Sequence, residues 1–408
     1  MPPSDRTPLL ENGNGSQSRS SFFERASAIV KAEGEPSWPA SFMWFIFGNW
    51  LNIFLVFVPL SIISHNLNWD AALRFSFSFL AIIPLAKLLG DATEQMSSKL
   101  GQTLAGLLNA SFGNAVEIIV GVAALLQGEL RIVQTSMLGS ILSNILLVLG
   151  CSFLAAGLKF DESHFRITAA QTSSSLMTLA CITLVIPAAY YSSTPPKGEE
   201  IDYEHGLHII SRGTAILLLF VYVAYLFFQL KTHSDLFDPS TEESGQPQEE
   251  EEEEENKMST ISAGVALLAV TIVTSFCADY LVASIEETAE RYHIPKAFIG
   301  LILLPLVANA AEHVTSVWMA MKGKMEITIT ISVGSSIQIA AFVVPLLVIV
   351  GWITGHQLTL YFANFETIVL FASVILVNLL LQDGKSNYME GLMLVTLYLV
   401  IALAFWVS

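Results

Sequence analysis

Long apolar runs fill most of the chain from Trp44 onward and alternate with short polar loops. An α-helix needs about 20 predominantly apolar residues to cross the hydrocarbon core of a bilayer. Soluble domains carry about a quarter charged residues, whereas only 13% of the 408 residues are charged here. The sequence therefore predicts an all-α integral membrane protein with many spans.

The apolar runs define eleven candidate transmembrane helices. Of the 19 Lys and Arg residues, 13 fall on the N-terminal side of the membrane in this arrangement and 6 on the other. Cytosolic loops carry the excess of basic residues, so the N-terminus is predicted to be cytosolic. The candidate spans are 43–64, 71–89, 103–127, 133–157, 166–190, 207–230, 261–285, 295–321, 326–352, 359–381 and 388–407.

Two polar segments lie outside the spans. Residues 1–42 contain no early apolar core and read as a disordered cytosolic tail, in which Asp5, Leu9 and Leu10 match an acidic-dileucine sorting pattern. Residues 232–257 hold eleven acidic residues and one lysine, including the glutamate run 249–255. This linker is predicted to be cytosolic, as either a solvated loop or an acidic helix that gathers or senses cations.

The stretches "FGNAVEIIVG" and "VANAAEHVTS" repeat one another. Glu117 and Glu312 are 195 residues apart, and so are Asn114 and Asn309. The next spans keep this offset, with "MLGSILSN" aligned to "SVGSSIQI". The glutamates fall in the third and eighth spans, and a separation of five crossings makes the two copies run oppositely through the membrane. The sequence predicts an inverted repeat, which secondary transporters use to build a midplane site.

The repeat sets the predicted domain organisation, with one helix added before a five-plus-five core. The five parts are a tail (1–42), an extra N-terminal helix (43–64), a first five-helix repeat (71–230), the acidic linker (231–258) and a second five-helix repeat (261–408).

Two acids stand out inside the spans. Glu117 is the only ionisable residue in 104–126, and Glu312 is the only acid in 297–321. Intramembrane acids are costly and usually mark ion or proton pathways. A protonated glutamate that only hydrogen-bonds a neighbour is the structural alternative, but it gives no reason for the duplication of the acid with its polar neighbours.

The neighbours of both acids offer oxygen and no sulfur. Asn114 and Glu117 share a helix face, as do Asn309 and Glu312, because each pair is three residues apart. Hard cations such as Ca²⁺ take six to eight oxygen ligands, although Ser and Asn also serve helix packing in membranes. The predicted ligands are Glu117, Glu312, Asn114, Asn309, Ser140, Ser143, Ser335 and Gln338.

Other residues have predicted supporting roles. Pro305 is predicted to break the eighth span, although the first repeat has Ala110 there. His313 has no counterpart in the first repeat and is either a proton acceptor, a site neighbour or a packed polar residue. The candidates for a proton pathway are His313, Asp279, Glu94 and Glu290. Glycines predicted to permit close helix approach or unwinding are Gly113, Gly121, Gly139, Gly150 and Gly334.

At these residues the sequence resembles the cation/proton exchanger (CAX) family, especially the vacuolar calcium/proton exchangers of fungi. The family's motifs GNAVE and GNAAEH appear here at 113–117 and, with Ala308 in place of glycine, at 308–313. The resemblance implies an acidic helix between two five-helix halves, and Ca²⁺ uptake into the vacuole driven by proton exit. It also implies Glu117 and Glu312 as central ligands, with Ser140, Ser143, Ser335 and Gln338 nearby.

These observations predict a Ca²⁺/H⁺ antiporter of the vacuolar membrane, with Mn²⁺ as a secondary substrate. Sodium/calcium exchange is the nearest alternative, because oxygen ligands suit Na⁺ too, and a cation channel is a second one. An enzyme is not predicted, since HExxH is absent and only Asp279 offers an aspartate inside a span. The predicted partners are Ca²⁺, H⁺ and the bilayer, with no cofactor and no nucleic acid. Homo-oligomer formation stays open.

Overall fold

The computed structural model describes residues 36–100, 102–193, 203–233 and 257–407, which are almost entirely helical. The sorting pattern at residues 5, 9 and 10, the tail up to residue 35, and the glutamate run 249–255 lie outside the described residues. Two short strands, β1 (Ser163–His164) and β2 (Lys385–Ser386), pair antiparallel and join two loops.

The described helices are numbered here in chain order. They are α1 (Trp38–Phe47), α2 (Trp50–Asn66), α3 (Ala71–Ser97), α4 (Gln102–Phe112), α5 (Ala115–Leu126), α6 (Leu130–Gly157), α7 (Ile167–Ser193), α8 (Glu204–Thr232), α9 (Thr260–Tyr292), α10 (Lys296–Ala308), α11 (Ala310–Met321), α12 (Met325–Thr354), α13 (Asn364–Leu380) and α14 (Tyr388–Val407).

Among the described residues, seven helices are long and apolar enough to cross a membrane. Two bent pairs, α1–α2 at 87° and α10–α11 at 58°, raise this number to nine if each pair is one span, and α5 and α13 are shorter apolar helices. The prediction of an all-α membrane protein is confirmed. Each predicted span overlaps one helix or a broken pair of helices, whereas the count of eleven full crossings stays a prediction.

The helix bundle has two ends. The end where α9 begins, after the acidic linker, is called the linker end, and the opposite end is called the far end. At the linker end, α3 ends beside the start of α9, and Lys99 Nζ donates to the Met258 carbonyl over 2.9 Å. At the far end, α5 ends and α6 begins, and Gln127 binds Asp279 of α9. The helices α3 and α9 pack along each other and connect the two ends.

The spans that carry the two glutamates are each broken just before the acid. Asn114 (φ −111°, ψ 31°) separates α4 from α5, and Asn309 (φ −88°, ψ 8°) separates α10 from α11. The prediction that Pro305 breaks the eighth span is wrong in position, because Pro305 lies inside α10 and the break follows four residues later. The first repeat breaks at the equivalent place without a proline, so the asparagine marks the break in both.

Matching ion pairs at opposite ends support the inverted repeat. At the far end, Arg131 in the first turn of α6 forms an ion pair with Glu366 in the first turn of α13. At the linker end, Glu326 in the first turn of α12 lies 3.2 Å from Arg166, just before α7. Arg131 and Glu326 are 195 residues apart. Equivalent helices are thus held at opposite ends of the bundle, as inverted copies require.

Turns of π-helix interrupt the long helices at related places. Ser143–Val148 in α6 and Ile339–Val343 in α12 coincide under the 195-residue offset, apart from one extra residue in the first. A third π-helical turn, Ile299–Leu303, lies in α10, whereas its counterpart α4 is regular α-helix. Such turns often occur at functional sites, and the difference between α10 and α4 distinguishes the two repeats.

Candidate cation-binding site

Both predicted acids lie in the first turn of a half-helix, where two broken spans meet inside the bundle. Glu117 begins α5 and Glu312 begins α11. The N-terminus of a helix carries a partial positive charge that favours a carboxylate. Glu117 is only 4% exposed, Glu312 is half-buried, and their side chains are near enough to interact electrostatically. The structure therefore brings the two acids near each other, and their shared role as ligands stays a prediction.

Each half-helix asparagine reaches across to the long helix of the other repeat. Asn114 Nδ2 donates to Gln338 Oε1 of α12, and Ser335 Oγ lies 3.1 Å from Asn114 Oδ1 and 2.9 Å from Glu312 Oε1. Asn309 Nδ2 donates to the Ser140 carbonyl of α6 over 3.4 Å. The site is built where the two repeats cross.

Four buried polar atoms here have no hydrogen-bond partner among the described residues: Glu312 Oε2, Asn309 Oδ1, and both Nδ2 and Oδ1 of Asn144. An unsatisfied buried polar group costs about 1–3 kcal/mol, and most such groups in proteins are paired. Three of the four atoms are oxygens, which are the ligands that hard cations prefer. The cluster is suited to a cation that supplies the absent partner.

Asn144 is a site residue that the sequence reasoning did not find. It lies beside Glu312, although neither amide atom meets hydrogen-bond geometry. The repeat offset pairs Asn144 with the apolar Ile339, so the symmetry of the two repeats does not point to it. The sequence feature that could have indicated Asn144 is the amide at the end of "MLGSILSN".

The adjacent Ser143 is buried, and its hydroxyl lies next to Tyr398 of α14. Its role as a ligand stays a prediction.

A cavity of about 820 Å³ opens at the linker end and reaches the site. Glu312, Ser335 and Gln338 line it, whereas Glu117 does not. Glu117 instead lines a cavity of about 10 Å³ together with Ser140, which is near the lower limit for holding one water molecule. The two acids therefore differ in access, because Glu312 lines the cavity that opens at the linker end and Glu117 does not.

The four proton-pathway candidates lie in different surroundings. Glu94 lines the large cavity. Asp279 is exposed and accepts a hydrogen bond of 2.6 Å from Gln127 at the far end. Glu290 is exposed near Lys296, also at the far end. His313 is half-buried and lines neither cavity. Only Glu94 shares the cavity with Glu312.

The donor set of the site is unusual for a resident metal centre. Within the described ranges, no group of three or more His, Cys, Asp or Glu side chains could hold a metal ion. The site has two carboxylates, and the other ligands would be neutral oxygens. Carboxylates and neutral oxygens are the ligand types that Ca²⁺ takes in proteins.

Broken helices that meet at the interface of two inverted repeats are typical of secondary transporters. The sequence matches the family model described as "Sodium/calcium exchanger protein" over residues 71–231 and 262–407. The chain belongs to this family.

Within this family, the chain is similar to vacuolar calcium and cation/proton exchangers. The vacuolar calcium ion transporter of Schizosaccharomyces pombe is 48% identical over 364 residues, covering 88% of this chain and 85% of that protein. Vacuolar cation/proton exchanger 2 of Oryza sativa subsp. japonica is 43% identical, covering 88% and 81%. The structure of native YfkE, a Ca²⁺/H⁺ antiporter, matches with a TM-score of 0.74 at 34% identity, covering 88% and 100%. The predicted resemblance to vacuolar calcium/proton exchangers, including fungal ones, is confirmed.

Proposed function

We propose that the protein is a Ca²⁺/H⁺ antiporter that moves Ca²⁺ from the cytosol into an acidic vacuole. The vacuolar relatives and YfkE support cation/proton exchange. The observation that carries the proposal is the cluster of unpaired buried oxygens around Glu312 and Asn309, beside Glu117 and at the end of the large cavity. In this proposal the linker end faces the cytosol, in agreement with the excess of basic residues on that side.

The charge of the site makes exchange obligatory. Two bare carboxylates close together among apolar helices repel each other, and Glu117 has almost no contact with solvent. One Ca²⁺ or two protons neutralises the pair of Glu117 and Glu312. The protein therefore reorients with either load and not with the doubly charged empty site, which couples Ca²⁺ movement to proton movement in the opposite direction. Alternating access then exposes the same site first to one side of the membrane and then to the other.

The oxygen ligands also set the cation selectivity. Mn²⁺ accepts carboxylate and carbonyl oxygens as Ca²⁺ does, so we propose it as a secondary substrate. Sodium is the rival counter-ion, because the family description names sodium. Proton coupling is favoured here by the relatives and structural neighbour named as proton exchangers.

The test is radiolabelled Ca²⁺ uptake by purified protein in liposomes. An acid interior should drive uptake without Na⁺, and collapse of the pH gradient with a protonophore should stop it. Uptake that ignores the pH gradient but requires a Na⁺ gradient would replace protons by sodium in the proposal. Ca²⁺ flux that needs neither counter-ion would indicate a channel.

A further inference from the structure

The wall of the linker-end cavity carries two ion pairs. Lys87 of α3 donates to Asp91 one turn further along the same helix, and Arg166 lies 3.2 Å from Glu326. The charged residues that line the cavity are Lys87, Asp91, Glu94, Arg166, Glu312 and Glu326. Each base on the wall therefore neutralises one acid, whereas Glu312 of the candidate site forms no ion pair with a described residue.

The first of these pairs lies beside the route to the site. The part of α3 that lines the cavity runs from Lys87 to the end of the helix at the linker end. Asp91 lies within this part and is only 9% exposed, and it shares a helix face with Glu94, three residues on. A bare carboxylate with little solvent attracts a divalent cation strongly, because water screens its charge poorly. Without its base, Asp91 would compete with Glu312 for incoming Ca²⁺.

The second repeat has an equivalent acid and a different base. The stretch "DATE" in α3 and the stretch "ETAE" in α9 align, which makes Glu287 the counterpart of Asp91. Glu287 forms an ion pair with Arg74, near the start of α3. The counterpart of Lys87 in this alignment is Ala283, so the base was not copied with the acid. Two unrelated bases neutralise equivalent acids, which indicates that the position has to be neutral.

We propose that Lys87 keeps the Asp91 carboxylate occupied, so that Ca²⁺ passes the cavity wall and is captured at the site of Glu312. The ammonium group acts as a cation that is tethered to the helix. Lys87 is thus a positioning residue that acts through Asp91 and does not itself contact Ca²⁺. This inference rests on the proposed function, because it concerns the route by which Ca²⁺ reaches the site.

The first test counts bound Ca²⁺ in the detergent-solubilised full-length protein by equilibrium dialysis with radiolabelled Ca²⁺. Lys87→Gln should bind one more Ca²⁺ per chain than wild type, because the bare Asp91 and the nearby Glu94 then hold a divalent ion together. The double variant Lys87→Gln, Asp91→Asn should return to the wild-type number, and Lys87→Arg should keep it. An unchanged number in Lys87→Gln would overturn the inference, since a purely structural ion pair adds no Ca²⁺ when it is broken.

The matched control is Lys322→Gln. Lys322 also lies at the linker end, where its ammonium group is over the Trp318 ring, and it does not line the cavity. The variant removes the same charge from the same end of the bundle without uncovering an acid of the cavity wall. It should bind the wild-type number of Ca²⁺, and an additional Ca²⁺ in this control would count against a role specific to Lys87.

The second test measures pH-driven Ca²⁺ uptake in liposomes. Lys87→Gln should lower the maximal rate about threefold or more, since Ca²⁺ held at Asp91 repels the ion that follows it. The double variant Lys87→Gln, Asp91→Asn should recover the wild-type rate, although it lacks the ion pair as well. A rate that stays low in the double variant would contradict the proposal, because transport would then require the ion pair itself.

Asp91→Asn alone is a further variant that leaves no bare acid in the wall. The Lys87 ammonium group then lacks its carboxylate and repels incoming cations, so the KM for Ca²⁺ should rise by about three- to tenfold at low ionic strength. A KM equal to that of wild type would overturn the inference. Absence of exchange in wild-type protein would refute the proposed function, whereas the Ca²⁺ count of the first test would still decide the role of Lys87.

Discussion

The two glutamates occupy equivalent positions in the repeats, yet their surroundings differ. Glu312 lines a cavity of about 820 Å³ that is open at the linker end, whereas Glu117 lines one of about 10 Å³. The chemistry of the two motifs is nearly the same, so the difference arises from the packing of α4 and α10. One sequence motif thus places a carboxylate inside the bundle twice, and only one of the two copies lines the open cavity.

The largest effect is expected from removing either charge of the pair. Glu117→Gln and Glu312→Gln should each reduce pH-driven Ca²⁺ uptake by about 100-fold or more, because one remaining carboxylate cannot neutralise Ca²⁺ in a buried site. Uptake in liposomes checks this. Glu204→Gln, in an exposed first turn of α8, should transport normally. Exchange retained by either site variant would break the symmetry of roles proposed for the two acids.

The difference in access predicts a large contrast in labelling. Thr315→Cys lines the cavity near Glu312, and Val120→Cys replaces a residue that is 5% exposed near Glu117. In protein whose three native cysteines are replaced by alanine, a membrane-impermeant maleimide added at the linker end should label position 315 at least about tenfold faster than position 120. This follows because buried thiols are inert to aqueous reagents. Equal labelling would mean that both acids are open to the same side.

A smaller loss is expected at Asn144, which exists in only one repeat. Asn144→Ala removes an amide oxygen offered to the cation, so the dissociation constant for Ca²⁺ should rise by about 5- to 30-fold, corresponding to roughly 1–2 kcal/mol. Calcium titration of the purified protein measures it. Asn66→Ala, an exposed asparagine in α2, is the control. An unchanged affinity would exclude Asn144 from the ligand set.

The smallest effect should distinguish two of the proton-pathway candidates, Glu94 and Glu290. Glu94 lines the open cavity, so Glu94→Gln should raise the KM for Ca²⁺ by about two- to threefold at low ionic strength through weaker electrostatic attraction. Glu290→Gln at the far end should change the KM by less. Uptake rates of the two variants, measured at several Ca²⁺ and salt concentrations, give the two KM values to compare. A larger effect of Glu290→Gln would place the cation entrance at the other end.

The sequence was sufficient for the membrane class, and it singled out two acids that the structure places near each other; the reasons are physical. A span needs an apolar run whatever its neighbours are, and a buried carboxylate stands out against such a run. The breaks were harder to locate. The break in the eighth span was predicted at Pro305, but the backbone departs from helix at Asn309. The first repeat breaks at the equivalent Asn114, although it has no proline at the position of Pro305.

Two further features could not be predicted from the sequence: the position of Asn144 beside Glu312 and the different surroundings of Gly139 and Gly334. Asn144 has an apolar counterpart in the second repeat, so reasoning by symmetry passed over it. The close approach predicted for Gly139 occurs against Leu301, whereas the same prediction for Gly334 is not met in this structure. The residue types at both positions are identical, and only the conformation distinguishes them.

Proton release on Ca²⁺ binding tests the shared pocket most directly. Ca²⁺ is added to the detergent-solubilised protein in weakly buffered solution, and a pH dye counts the protons released. We expect release to approach two protons per Ca²⁺ in acidic solution, Ca²⁺ affinity to fall as the pH is lowered, and Glu117→Gln or Glu312→Gln to abolish the paired release. Ca²⁺ binding that releases no protons and has the same affinity at every pH would contradict the account.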